Sequence, residues 1–144
     1  MPAADAAPSS SPSGPGSSVS PPPPRRGIIL VIDDDEPVAK TIKRLLRHHE
    51  VLTERDPETA VARLMAGERF DAVLCELRLP KLSGIQVYTA IRGADRAKAE
   101  TLVFMSGGIL DDDTEFFLQA SRAQFLEKPF SIARLRAVVN GFVH

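Results

Sequence analysis

From Gly27 onward, short apolar runs alternate with stretches that are apolar on one side only. Ile28–Ile32, Ala72–Cys75 and Thr101–Met105 are almost unbroken runs, and Val51-Leu52 and Gln124–Leu126 give two shorter ones. A run without alternation suits a strand covered on both faces, as in a parallel sheet. Between the runs the apolar spacing becomes helical. Val38, Ile42, Leu45 and Leu46 share one face, with Lys40, Lys43, Arg44 and Arg47 on the other. Asp56-Pro57 predicts an N-cap followed by proline in the first turn of a second helix. That helix carries Ala60, Val61, Leu64 and Met65 and is closed by Gly67. Ile85, Tyr88 and Ile91 supply the buried stripe of a third helix. Asp111 to Arg122 form a fourth, its acidic start suited to the positive end of the helix dipole. Ser131 caps a fifth, with Ile132, Leu135, Val139 and Phe142 expected to face inward. The pattern predicts an α/β domain of five strands and five helices, a parallel sheet between two helical layers.

Residues 1–26 break this pattern. Eight of the chain's 12 prolines fall there, among serines and alanines. Such a segment buries too little surface to offset the entropy of ordering it, so it is expected to be a disordered leader or linker, extended at Pro21–Pro24. Arg25-Arg26 marks the expected solvated edge of a domain spanning residues 27–144.

Composition narrows the function. A net charge of -1 argues against nucleic-acid binding, which calls for a basic excess or stripe. No apolar stretch approaches the roughly 18 residues a membrane span needs, and the N-terminus lacks a secretion signal. Cys75, the single cysteine, reads as a small buried hydrophobe. A reducing, cytoplasmic setting is the expectation. His48-His49 reads as part of a solvated helix face, and Tyr88 as packing.

In an open α/β sheet, ligands gather outside the carboxyl ends of the strands. The polar residues of interest stand there: Asp33 and Asp34 after the first strand, Glu76 after the third, Ser106 after the fourth and Lys128 after the fifth. Clustered carboxylates repel one another unless a cation intervenes, and a hard dication such as Mg²⁺ answers that need with oxygen ligands. Lys128 and the Ser106 hydroxyl suit the oxygens of a phosphoryl group. Gly107-Gly108 would leave the pocket mouth clear of side chains. Without a metal, Glu76 would pair with Lys128 as a structural ion pair.

These strand ends resemble the response-regulator receiver domain of two-component signalling. Counted from Glu76, Pro80 stands at plus four, Gly84 at plus eight, Ser106 at plus thirty and Lys128-Pro129 at plus fifty-two, with Asp33-Asp34 after the first strand. The similarity covers residues 27–143. It implies a flavodoxin-like (βα)5 three-layer sandwich with strand order 2-1-3-4-5, and a phosphoryl group taken from a phosphohistidine donor with Mg²⁺ present. It further implies metal contacts from Asp34, the carboxylate at position 76 and the Arg78 backbone carbonyl, with Asp33 acting partly through water. Ser106 and Phe125 would form the switch, and the Lys128-Pro129 peptide would be cis. Implied partners are a histidine kinase or phosphotransfer protein, and a downstream protein at the face of the fourth helix, fifth strand and last helix. Weak pairing of two copies through the last helices is also implied. The chain would do at most phosphoacceptor chemistry on itself. With Met1 at its start, it reads either as a free-standing product or as a piece of a larger kinase.

The departure is Glu76, where that family carries an aspartate. One more methylene moves the carboxylate out by about 1.5 Å. Phosphoryl transfer depends on positioning and charge stabilisation, so a shift of that size costs orders of magnitude in acceptance. The longer side chain also puts negative charge nearer Ser106 and Lys128, giving about one charge against nearly two for a phosphoryl group. Two outcomes stand open: partial phosphomimicry, and an inert site that signals by binding alone. A second reading takes Asp33-x-Asp35 as the motif of a Mg²⁺-dependent phosphotransferase similar to the haloacid dehalogenases, although Pro37 stands where that family carries Thr or Val.

Overall fold

The computed structural model describes residues 25–144, so residues 1–24 of the leader expected at residues 1–26 lie outside the described residues. Five strands run parallel: β1 (Ile28–Ile32), β2 (Glu50–Glu54), β3 (Ala72–Glu76), β4 (Leu102–Ser106) and β5 (Gln124–Glu127). Their order across the sheet is β2-β1-β3-β4-β5, the flavodoxin-like arrangement. Six helices connect or flank them: α1 (Glu36–Leu45), α2 (Pro57–Met65), α3 (Gly84–Ala94), α4 (Arg96–Ala99), α5 (Asp112–Ser121) and α6 (Ile132–Asn140).

Strand alternation divides the core into two layers. Ile29, Val31, Ala72, Leu74, Val103 and Met105 face α1 and α6, meeting Ala39, Ile42, Leu135, Val138 and Val139. Leu30, Ile32, Val73, Cys75, Leu102 and Phe104 face the other way, meeting Ala60, Leu64, Val87, Ile91 and Ala99. Burying each large apolar side chain contributes about 1.5–3 kcal/mol. The central strands β3 and β4 are buried at every position, which is why their sequences carry no alternation.

Local signals set the helix starts. Asp35, Asp56, Ser83, Asp111 and Ser131 each accept a hydrogen bond from a backbone N–H of the helix they precede. Gly67 takes a φ of +95° just past α2. That left-handed position is one glycine adopts without a steric penalty.

Four expectations change. A sixth helix, the single turn α4, interrupts the link after α3 because the Asp95 side chain caps Lys98 N–H. Ile132 is 46% exposed and does not face inward, since the inner face of α6 is taken by Leu135, Val138 and Val139. In α3 the deepest residues are Val87 and Ile91, with Ile85 and Tyr88 half-buried around them. His49 is buried, not solvated. It lies past the end of α1, where its ring accepts Gly27 N–H and meets Asn140.

Candidate functional site

The carboxyl ends of β1, β3, β4 and β5 bring Asp33, Glu76, Ser106 and Lys128 to one rim. Asp33, Glu76 and Ser106 are buried, although all three are polar. Lys128 Nζ donates to Glu76 Oε1 at 2.6 Å and to Asp33 Oδ2 at 3.0 Å. The remaining carboxylate oxygens are held by backbone. Asp35 N–H donates to Asp33 Oδ1 at 2.9 Å, and Arg78 N–H donates to Glu76 Oε2 at 3.1 Å. The Ser106 hydroxyl accepts from Gly108 N–H at 3.5 Å.

The backbone explains several of the spacings. Gly84 packs so tightly on the end of β3 that an added Cβ would stand 2.6 Å from the Glu76 carbonyl oxygen. Gly84 N–H also donates to Leu77 O at 2.9 Å, closing the loop that carries Arg78 and Pro80. Lys128 N–H donates to Ser106 O at 2.8 Å, which keeps the ends of β4 and β5 in register. The Lys128-Pro129 peptide is cis. Phe125 is half-buried in the second core layer.

The electrostatics follow from burial and pairing. Burial raises the Asp33 pKa above the ordinary carboxylate value, and the Asp35 N–H and the Lys128 ammonium offset this only in part. Burial also works against the charge on Lys128, but its bonds to Glu76 and Asp33 outweigh it and its pKa is raised. The ammonium therefore stays charged between the two acids. Burial, with the nearby Glu76 and Asp33 charges, pushes the Cys75 thiol up and keeps it inert.

In this arrangement Lys128 supplies the cation between Asp33 and Glu76. Asp34 is exposed, and both Glu76 oxygens are occupied by Lys128 and Arg78 N–H. Among the described residues, no group of three or more His, Cys, Asp or Glu side chains is placed to hold a metal ion. The lysine supplies the counter-charge that clustered acids otherwise draw from an ion.

One contributor was not foreseen from the sequence. The Arg78 guanidinium reaches from the loop after β3 to the loop after β4 and donates to the Ile109 carbonyl. A Cβ on Gly108 would lie 2.6 Å from Arg78 Nη1. Gly108 thus makes room for an arginine and does not clear the mouth. The only hint in the sequence was a glycine pair facing an arginine two residues past position 76.

The fold and rim define a receiver-type α/β signalling module. The family model for the response regulator receiver domain matches residues 29–140, and the chain belongs to that family. Among solved structures, it is similar to the receiver domain of the sensor histidine kinase PA1611 from Pseudomonas aeruginosa. That structure is 31% identical, with a TM-score of 0.68, covers 82% of this chain and 98% of its own, and is described with a magnesium ion coordinated in its active-site cleft. A receiver domain of a LuxO-type repressor from Vibrio parahaemolyticus is 21% identical, with a TM-score of 0.71 over 82% of this chain and 90% of its own. The chemotaxis protein CheY4 of Vibrio cholerae is 20% identical, with a TM-score of 0.69 over 83% of this chain and 100% of its own. No curated protein matches the chain. Receivers act in two-component signalling between histidine kinases or phosphotransfer proteins and downstream effectors. Among the described residues no helix is long and apolar enough to cross a membrane.

The haloacid-dehalogenase-like alternative does not stand. The match runs to the receiver family, and the Asp35 carboxylate caps α1 by accepting from Val38 N–H.

Proposed function

We propose that this chain is a receiver module of a bacterial two-component phosphorelay that signals through partner binding, with Glu76 as a built-in, partial stand-in for a phosphoryl group. The observation that carries this reading is the 2.6 Å contact between Glu76 Oε1 and Lys128 Nζ. A phosphoryl oxygen on an aspartate would meet that ammonium and the Ser106 hydroxyl. Glu76 engages the first contact, while Ser106 Oγ accepts from Gly108 N–H. The mimicry is thus half made, in charge and in contacts alike.

On this reading Lys128 and Ser106 are the oxyanion contacts, and Ser106 and Phe125 form the switch. The partner upstream is a histidine kinase or phosphotransfer protein. The downstream partner reads the face formed by α5, β5 and α6, where two copies would also pair weakly. The family's ion, Mg²⁺, would be held by Asp33, Asp34, the carboxylate at position 76 and the Arg78 carbonyl once Lys128 gives way. When bound, it supplies charge neutralisation for phosphoryl transfer. The setting is cytoplasmic.

Acetyl phosphate with Mg²⁺ should label the native chain poorly, whereas Glu76→Asp should label readily and lose that labelling in the Glu76→Asp/Asp34→Ala double variant. An unlabelled Glu76→Asp chain would sink the reading. Beryllofluoride titration followed by NMR should shift Ser106 and Phe125 strongly in Glu76→Asp and weakly in the native chain. Equal shifts in both would rule out mimicry by Glu76.

A further inference from the structure

Arg78 joins two loops that the sequence treats as independent. Its backbone N–H holds Glu76 Oε2 in the loop after β3. Its guanidinium holds the Ile109 carbonyl in the loop after β4. Between these points it lies over Gly108, where a Cβ would come within 2.6 Å of Nη1 and 2.9 Å of both Cζ and Nη2. The neighbouring Gly107 makes the same allowance for Lys128, whose Cβ would be 3.2 Å from an added Cβ. Each glycine thus seats one of the two basic side chains at the cup. The Arg78 charge also acts on Asp111, the N-cap of α5, and contributes to its lowered pKa behind the bonds from Thr114.

We infer that the Arg78 side chain is a strap: it covers the cup over position 76 and pins the Gly107–Leu110 loop, so that a phosphodonor reaches the site only after it lets go. The inference deepens the proposed function by adding a regulator of access to the same site. Its pinning arm stands even if the phosphoryl chemistry does not. The pinned loop carries Ile109, 91% exposed, and leads into α5 with Phe116, 73% exposed. Release of the strap therefore also alters how these apolar side chains are presented. A guanidinium suits the task, because its fork of donors can grip a carbonyl while its plane lies flat on a glycine.

Two variants release the strap by different routes. Arg78→Ala removes it, and Gly108→Ala displaces the flexible guanidinium while keeping its charge. Backbone order parameters of residues 108–110 should stand near 0.85, the value of a rigid segment, and fall toward about 0.6 in both variants. In the Glu76→Asp background, adding either change should speed acetyl phosphate labelling by about tenfold, the effect of losing one charged hydrogen bond. Unchanged order parameters in both variants, or a native loop already near 0.6, overturn the strap. A loosened loop with unchanged labelling overturns the gating role alone. If Glu76→Asp is not labelled at all, the proposed function fails, and the order parameters still judge the strap.

Discussion

Two buried polar clusters sit at opposite ends of this sheet, and they are built on opposite terms. At the carboxyl rim, Asp33 and Glu76 share one ammonium, with Asp34 exposed beside them. At the other end, His49 Nδ1 accepts Gly27 N–H at 2.9 Å, and Nε2 lies 2.8 Å from Asn140 Oδ1. Accepting at Nδ1 places the ring proton on Nε2, so Asn140 Oδ1 accepts in turn. The Gly27 N–H and the His49 Nε2 proton each meet an acceptor, in a contact between neutral groups. That neutral match ties the start of β1 to the ends of α1 and α6. The rim cluster holds two acids to one base and is half engaged toward its hydroxyl. A satisfied neutral cluster fixes a structure, and a charge-unbalanced one is left to respond to a ligand.

Breaking the rim should cost most. Lys128→Met leaves two buried carboxylates without a counter-ion and should destabilise the fold by about 3 kcal/mol at neutral pH, read from urea unfolding. A loss under about 1 kcal/mol would mean that the acids are already solvated or protonated. His49→Phe keeps the bulk of the ring and orphans Gly27 N–H and the Asn140 oxygen. It should cost about 2 kcal/mol, and a neutral result would remove the tie between β1, α1 and α6.

The two ends of the sheet should also respond to pH, through His48 at one and through Lys128 and Asp33 at the other. Burial lowers the His48 pKa, with the Arg136 and Arg47 charges acting the same way, and its Nε2 is buried without a hydrogen-bond partner. A lowered histidine pKa contributes stability above its ordinary value near 6.5, lost as pH falls through the folded-state value. Lys128 is raised, so its contribution is full below its ordinary value near 10.4 and lost as pH climbs through the folded-state value. Asp33, also raised, favours the fold at acid pH and loses that contribution as pH rises through its folded-state value. Chemical denaturation across pH should show His48→Leu flattening the limb below neutrality, with the alkaline limb intact. An unchanged acid limb would remove His48 from the account.

The smallest effect expected is that of Mg²⁺. An ion present at its own Kd stabilises by only about 0.4 kcal/mol. The native chain should gain less than that at about 10 mM, because Lys128 already neutralises the acids. Glu76→Asp should gain more by thermal shift. An equal gain in both would show that the lysine does not compete.

Much of this was legible in the amino-acid order. Apolar runs marked β1, β3 and β4, and Asp56, Asp111 and Ser131 announced the helix starts, because strand burial and capping are local physics. The spacing of Pro80, Gly84, Ser106 and Lys128 from Glu76 placed the rim, because parallel topology brings those strand ends together. Periodicity failed where partners come from distant segments. Nothing near His48-His49 revealed that Gly27 and Asn140 would enclose the second ring. Nothing around Gly107-Gly108 said that the Arg78 guanidinium would pack on Gly108. Ile132 looked core-bound until α6 docked with another face inward.

The order of residues, then, determined the sheet, the helix starts and which side chains reach the rim, since each depends on a residue's own geometry and near neighbours. Tertiary packing alone decided that Lys128 lies between Asp33 and Glu76, that His49 is buried and that Arg78 bridges two loops. Those contacts join residues from 22 to 95 positions apart, and only a closed fold brings such distant charges and dipoles within bonding range.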